Sequence, residues 1–128
     1  MNREDALKTV EEYKAFLGKA QEEFKEKGGE LFKALLSPVF ENFPEVNSIS
    51  WTQYTPYFND GDECTFGVRN DYPEVNGEEV DYKSKLLKDI VENLQAIDED
   101  IYKFAFGDHV KVTIHRDGKV EIDEYSHD

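Results

Sequence analysis

Between residues 109 and 125 a single register satisfies two alternating patterns at once, and this limits the fold more than any other feature of the chain. Val110, Val112 and Ile114 alternate with polar residues, and so do Val120 and Ile122. A two-residue turn at Asp117-Gly118 would set Val112 opposite Asp123 and mix apolar with acidic side chains on one face. A three-residue loop, Arg116-Asp117-Gly118, pairs Ile114 with Val120 and Val112 with Ile122, with Gly118 left-handed in a bulge. Lys111 then faces Asp123 on the wet side. A slip of one residue would turn every side chain over, so the pattern predicts a hairpin over 109–125.

A second hairpin is predicted over 48–70. Ser48 to Phe58 is rich in β-branched and aromatic residues, and Cys64 to Arg69 reads as its partner. The turn residues Asn59-Asp60-Gly61-Asp62 join them. This loop pairs Tyr57 with Cys64, Thr55 with Phe66 and Gln53 with Val68. Ile49, Trp51, Tyr57, Cys64, Phe66 and Val68 then share the core face. Thr52, Tyr54, Phe58, Thr65 and Arg69 share the other, where Tyr54 covers the bare backbone of Gly67. Pro56 implies an edge or a bulge.

Helices fill the rest. Ala6, Leu7, Val10, Tyr13, Phe16, Leu17, Ala20 and Phe24 recur at helical spacing behind a cap at Asn2. Gly28-Gly29 reads as the end of this helix, and a second helix carries Leu31, Phe32, Leu35, Leu36, Val39 and Phe40, with a kink at Pro38. The two form an antiparallel pair over 1–43, the first extending from the body. Residues 70–82 read as a loop with an Asn76-Gly77 turn. Leu86, Leu87, Ile90, Val91, Leu94 and Ile97 mark an amphipathic helix, and Asp98 caps a short one ending at Gly107, both within 83–106. The expected fold is one α+β domain over 1–128, in the order α-α-β-β-α-(α)-β-β. It has two layers: an antiparallel four-stranded sheet made of two hairpins, and helices on one face.

The run Trp51-Thr-Gln-Tyr-Thr-Pro-Tyr-Phe-Asn-Asp-Gly-Asp62 resembles a string found in small bacterial and phage proteins that have no assigned function. Phe106-Gly-Asp-His-Val-Lys-Val, Arg116-Asp-Gly118 and the Glu-Tyr-Ser-His-Asp tail are similar to theirs. The resemblance implies a prokaryotic or phage origin and transfers no functional residue.

Charge narrows the function classes. The net charge is −14, which repels nucleic-acid phosphates and anionic lipid. A basic protein partner is expected, with no direct nucleic-acid or membrane contact. No apolar run approaches the roughly 18 residues of a spanning helix. The start, Met1-Asn2-Arg3-Glu4-Asp5, lacks signal-peptide order, and Cys64 is the one cysteine, so a cytoplasmic location is expected (the host cytoplasm for a phage protein). Residues 51–80 hold seven acids and one base, Arg69, together with Trp51, Tyr54, Tyr57, Phe58, Phe66 and Tyr72. Acids beside aromatics are the composition of a protein-binding surface.

The candidate partner-binding residues are therefore Tyr54, Phe58, Asp60, Asp62, Glu63, Arg69 and Tyr72. Arg69 can instead pair with Asp71 or Glu63, and the 70–82 loop can instead fold over Tyr54 and Phe58. No catalytic residue, metal ligand or cofactor is expected. Asn59, Asp60, Asp62 and Glu63 lack EF-hand spacing. His109 and His115 lie about 20 Å apart along a strand, too far to share one metal. Cys64 faces the core, where thiols are inert. The chain has no phosphate-binding glycine loop. The function expected is a non-enzymatic acidic interaction module of inhibitor or immunity type, with nucleic-acid mimicry as one form of it. The alternative is a small-ligand or metal-binding domain, with an enzyme as one form of it, using Arg69, Gln53 or the Asp60/Asp62 tip.

Overall fold

The computed structural model describes residues 2–57, 61, 64–81 and 83–126. It is an α+β fold in which helices cover one face of an antiparallel sheet. The first element departs from expectation. One 40-residue helix, α1 (Arg3–Asn42), replaces the helix pair and runs through both Gly28-Gly29 and Pro38. Asn2 caps it, its side chain accepting from the Asp5 N–H at 2.9 Å.

The reason lies in packing. Gly28 faces helix α3 (Glu99–Phe106), and a Cβ on Gly28 would come closer than 3.0 Å to the Ala105 Cβ. A Cβ on Gly29 would lie 3.3 Å from Val120. These glycines admit a neighbouring helix and strand; they do not end α1. Each costs about 1 kcal/mol of helix propensity, and Pro38 about 3. Burial of Phe32, Leu36, Val39 and Phe40, at about 1.5–3 kcal/mol each, exceeds that sum.

The sheet is built around β1 (Ser48–Tyr54). On one side β1 pairs along its whole length save the last residue with β5 (Val110–His115), which pairs with β6 (Val120–Glu124). On the other side β1 meets β2 (Gly67–Val68) near its end and β3 (Glu74–Val75) near its start. β4 (Glu78–Glu79) pairs with β3 and forms an edge. Among the described residues the sheet has six strands where four were expected. The two extra strands come from the segment expected to be a loop. Asn76 and Gly77, at φ +54° and +81°, make a two-residue turn that closes β3 onto β4.

Both predicted registers are present. Ile114 pairs with Val120, Val112 with Ile122 and Lys111 with Asp123, with Gly118 at φ +96°. Gln53 pairs with Val68 and Tyr54 with Gly67. The first hairpin is shorter than expected, however. Pairing stops at Tyr54, because the Thr55 N–H donates to Asp108 at 2.8 Å and Pro56 has no N–H. Tyr57, expected on the core face, is therefore 61% exposed, and Cys64 is half-buried outside any strand.

The core fills the space between sheet and helices. Phe32 stands at its centre, with ring centroids 5.4 Å from Trp51, 4.7 Å from Tyr102 and 5.2 Å from Phe106. Helix α2 (Lys85–Leu94) adds Ile90 and Leu94, and is capped by Ser84, whose hydroxyl accepts from the Leu87 N–H. Gln53 is fully buried among apolar groups and is satisfied there. Its Oε1 accepts from Trp51 Nε1 at 3.0 Å, and its Nε2 donates to the Tyr102 and Gly107 carbonyls at 2.9 and 2.7 Å. One buried amide thus joins β1 to the middle of α3 and to Gly107 at its C-terminal end. Among the described residues, no helix is long and apolar enough to cross a membrane.

Candidate functional site

Strand alternation sends Ile49, Trp51 and Gln53 to the helices and leaves Ser50, Thr52 and Tyr54 on the opposite face. Cross-strand pairing sets Glu74, Ser50, Thr113 and Glu121 in one row of that face, and Thr52, Lys111 and Asp123 in the next. Lys111 Nζ reaches Glu74 at 2.9 Å. His115 and Lys119 each lie 3.2 Å from Glu121. Hydrogen bonding and charge from Lys119, followed by charge from His115, hold the exposed Glu121 carboxyl below its ordinary pKa.

Tyr54 and Arg69 meet on this face. Arg69 Nε and Nη2 donate to the Tyr54 hydroxyl oxygen at 3.1 and 2.9 Å. The sequence had offered Arg69 a carboxylate; its side chain bonds a phenol instead. That hydrogen bond, with the charge interaction it brings, raises the Arg69 pKa further, so the guanidinium stays charged at any working pH. The Tyr54 ring lies 5.6 Å from that of Tyr125, which, with Arg69, half-covers it. Tyr72 is not part of that cover: it is 74% exposed and projects from the turn that follows Arg69. Phe58, Asp60, Asp62 and Glu63 lie outside the described residues. Of the predicted partner residues, then, Tyr54 and Arg69 meet through their side chains, while Tyr72 is tied to Arg69 through the backbone and leaves its side chain exposed.

The β3–β4 hairpin with its flanks forms an acidic surface. Asp71, Glu74, Glu78, Glu79 and Asp81 fall in a stretch with no base between Arg69 and Lys83. Asp71, Glu78, Glu79 and Asp81 are exposed, as is Tyr72. Asn76 fixes the hairpin to the body. Its Oδ1 accepts from the Asn47 and Ser48 N–H groups at 2.7 and 3.1 Å, its Nδ2 donates to the Glu45 carbonyl at 3.0 Å, and its own N–H donates to the Ser48 carbonyl. Asn-Gly is legible as a turn, but nothing local announces these bonds to residues 45–48.

A cleft of about 320 Å³ opens beside the Tyr54–Arg69 pair, lined also by Pro56, Asn70, Gln95 and Glu99. Gln53, considered as a ligand contact, is closed off in the core with its amide fully engaged.

The remaining titratable groups are dispersed. His109, at φ +55°, stacks on Tyr57 with centroids 4.9 Å apart and lies 3.7 Å from Asp108. Burial alone would raise the Asp108 pKa. Bonds from the Thr55 hydroxyl at 2.6 Å and from the Thr55 and His109 N–H groups outweigh it and hold the carboxyl below its ordinary value. This carboxylate staples the two hairpins where β1 ends. No group of three or more His, Cys, Asp or Glu residues able to hold a metal occurs among the described residues.

Comparison with protein families, curated sequences and solved structures found no match to the chain.

Proposed function

We propose that this protein is a non-enzymatic acidic interaction module that binds a basic surface of another protein through the β3–β4 hairpin and the adjoining Tyr72, Tyr54 and Arg69. The observation that carries the reading is the hairpin itself: an acidic edge with Glu78 and Glu79 exposed and an exposed tyrosine, Tyr72, before it, fixed to the body by Asn76. A flat edge strand invites unwanted pairing, and the exposed Glu78 and Glu79 guard it against that. The same charges speed encounter with a basic partner and select against acidic ones. A tyrosine adds contact area at small entropic cost. Phe58, Asp60, Asp62 and Glu63 join the proposed surface on the strength of the sequence alone. A cytoplasmic location and a prokaryotic or phage origin belong to the same proposal.

The test is affinity capture from lysate at low and high salt. The control is a variant carrying Asp71→Asn, Tyr72→Ala, Glu78→Gln and Glu79→Gln, all exposed side chains whose loss leaves the core intact. A basic protein that is released by salt and missed by the variant supports the proposal. Competition by nucleic acid for that protein would identify the mimic form. Capture that ignores all four changes would refute the site.

The cleft beside Arg69 favours a second reading, a domain that binds a small anionic ligand. Its volume is at the low end for ligand pockets. A thermal-shift screen with small carboxylates and phosphates, repeated on Arg69→Gln, tests it.

A further inference from the structure

The proposed function leaves the first 25 residues of α1 unexplained. No residue from Asn2 to Lys27 is buried, although this stretch carries Leu7, Val10, Tyr13, Phe16, Leu17 and Phe24. Their order is heptad-like: Val10, Leu17 and Phe24 recur every seven residues, with Ala6, Tyr13 and Ala20 between them. The apolar surface then continues onto the body. Phe24 lies 6.4 Å from Phe104, which is 70% exposed, and Ile101 is exposed beside it. Two adjoining grooves run along this line. One, of about 560 Å³, is lined by Leu17, Ala20, Phe24 and Phe104; the other, of about 260 Å³, by Phe24, Leu31, Ile101 and Phe104.

The geometry points to a second copy of this chain as the occupant, paired antiparallel along the N-terminal half of α1. Charge favours self-association here and decides the direction. Residues 1–27 hold seven acids and six bases and are nearly neutral, while the rest of the chain holds twenty-two acids and nine bases. Parallel pairing would bring two strongly acidic bodies side by side. Antiparallel pairing over 3–27 sets them about 37 Å apart along the stem, several times the Debye length of about 8–10 Å.

Side-chain size agrees. Antiparallel heptads with Tyr13 against Leu17 of the partner also set Val10 against the partner's Ala20 and Phe24 against the partner's Ala6, large against small in the outer layers. The partner's first turns then lie in the groove beside Phe104. Area agrees too. With aromatic side chains of about 150–250 Å² each, the exposed apolar groups of stem and groove amount to roughly 800 Å² per copy, the size of a standard stable interface. Packing of an apolar stripe, more than propensity, is what stabilises such a helix in water.

The test is sedimentation equilibrium of the full chain at micromolar concentration, beside Val10→Glu/Leu17→Glu. Because both side chains are exposed and outside the core, that variant keeps the near-ultraviolet signal of the buried Trp51. The expected result is a dimer for the natural sequence and a monomer for the variant. Direction is read by disulfide trapping in a Cys64→Ser background. Mixing Ala6→Cys with Phe24→Cys chains gives a mixed dimer if the helices are antiparallel. A monomeric natural chain, a dimer that survives the two glutamates, or trapping of Ala6→Cys to itself alone would each overturn the inference.

Discussion

Adding one methyl group at Gly28 tests the packing that turns a sequence reading of two helices into a single one. Gly→Ala inside a helix is normally worth about 1 kcal/mol in favour of the folded state. Gly18, whose Cβ would meet nothing within 4 Å, should show that gain in full. At Gly28 the new Cβ runs into the Cβ of Ala105, with the α-carbon of that residue 3.4 Å away, and neither atom sits on a flexible side chain. Overpacking of this kind costs about 1–3 kcal/mol, and here it requires α1 and α3 to separate under the Phe32–Tyr102–Phe106 cluster, so the upper half of that range applies. Net of the propensity gain, Gly28→Ala should destabilise by about 1–2 kcal/mol. The assay is urea unfolding, with the midpoints compared at a constant slope. Ala105→Gly in the Gly28→Ala background hands the methyl group from one helix to the other and should recover the clash energy, giving a coupling that neither single change predicts. If Gly28→Ala stabilises as Gly18→Ala does, or if Ala105→Gly fails to rescue it, the close approach of α1 and α3 is wrong.

Two further perturbations address the hairpin and the core. Asn76→Ala puts a side chain without hydrogen bonds at φ +54° and removes three bonds, so β3–β4 should loosen by about 2–3 kcal/mol, read as faster amide exchange at 74–79. Asn76→Gly keeps the turn conformation and isolates the loss of the bonds; unchanged exchange in both would refute the clasp. Burial pushes the Tyr102 phenol up to about 12, a bond from Asn70 opposing it and Glu99 adding to it. The folded state therefore favours the neutral phenol. Its contribution is complete below the unfolded value of about 10 and is lost as pH rises from there through about 12. In a spectrophotometric titration the absorbance change removed by Tyr102→Phe should fall near pH 12, and that variant should lose less stability than the natural chain between pH 10 and 12. A Tyr102 phenol that titrates at the ordinary value of about 10 would contradict its burial.

What could be read from the sequence was what local alternation controls. The Ile114–Val120 and Gln53–Val68 registers follow from period-two patterns that tolerate no slip. The Tyr54–Arg69 neighbourhood follows from the second of these, since both side chains lie on the face away from Gln53. Where a distant residue decides the outcome, local signals fail. Gly28-Gly29 looks like a helix stop until Ala105 arrives against it. Thr55 looks like strand until Asp108 captures its N–H. The 70–82 segment, with acids on both sides of Asn76-Gly77, has little β-propensity, and it becomes two strands because β1 presents an open edge and Asn76 finds partners at 45–48. The Tyr125 ring that half-covers Tyr54 sits at the far end of the second hairpin, and the joining of β1 to β5 brings it across.

Hydrogen exchange on the protein with and without its captured partner tests the proposed function most directly. Protection confined to 71–81 and the adjoining end of β1, weakening as salt is raised, is the result expected of a basic surface docked on the acidic hairpin. Protection on the helical layer or the α1 stem, with 71–81 unchanged, would contradict it.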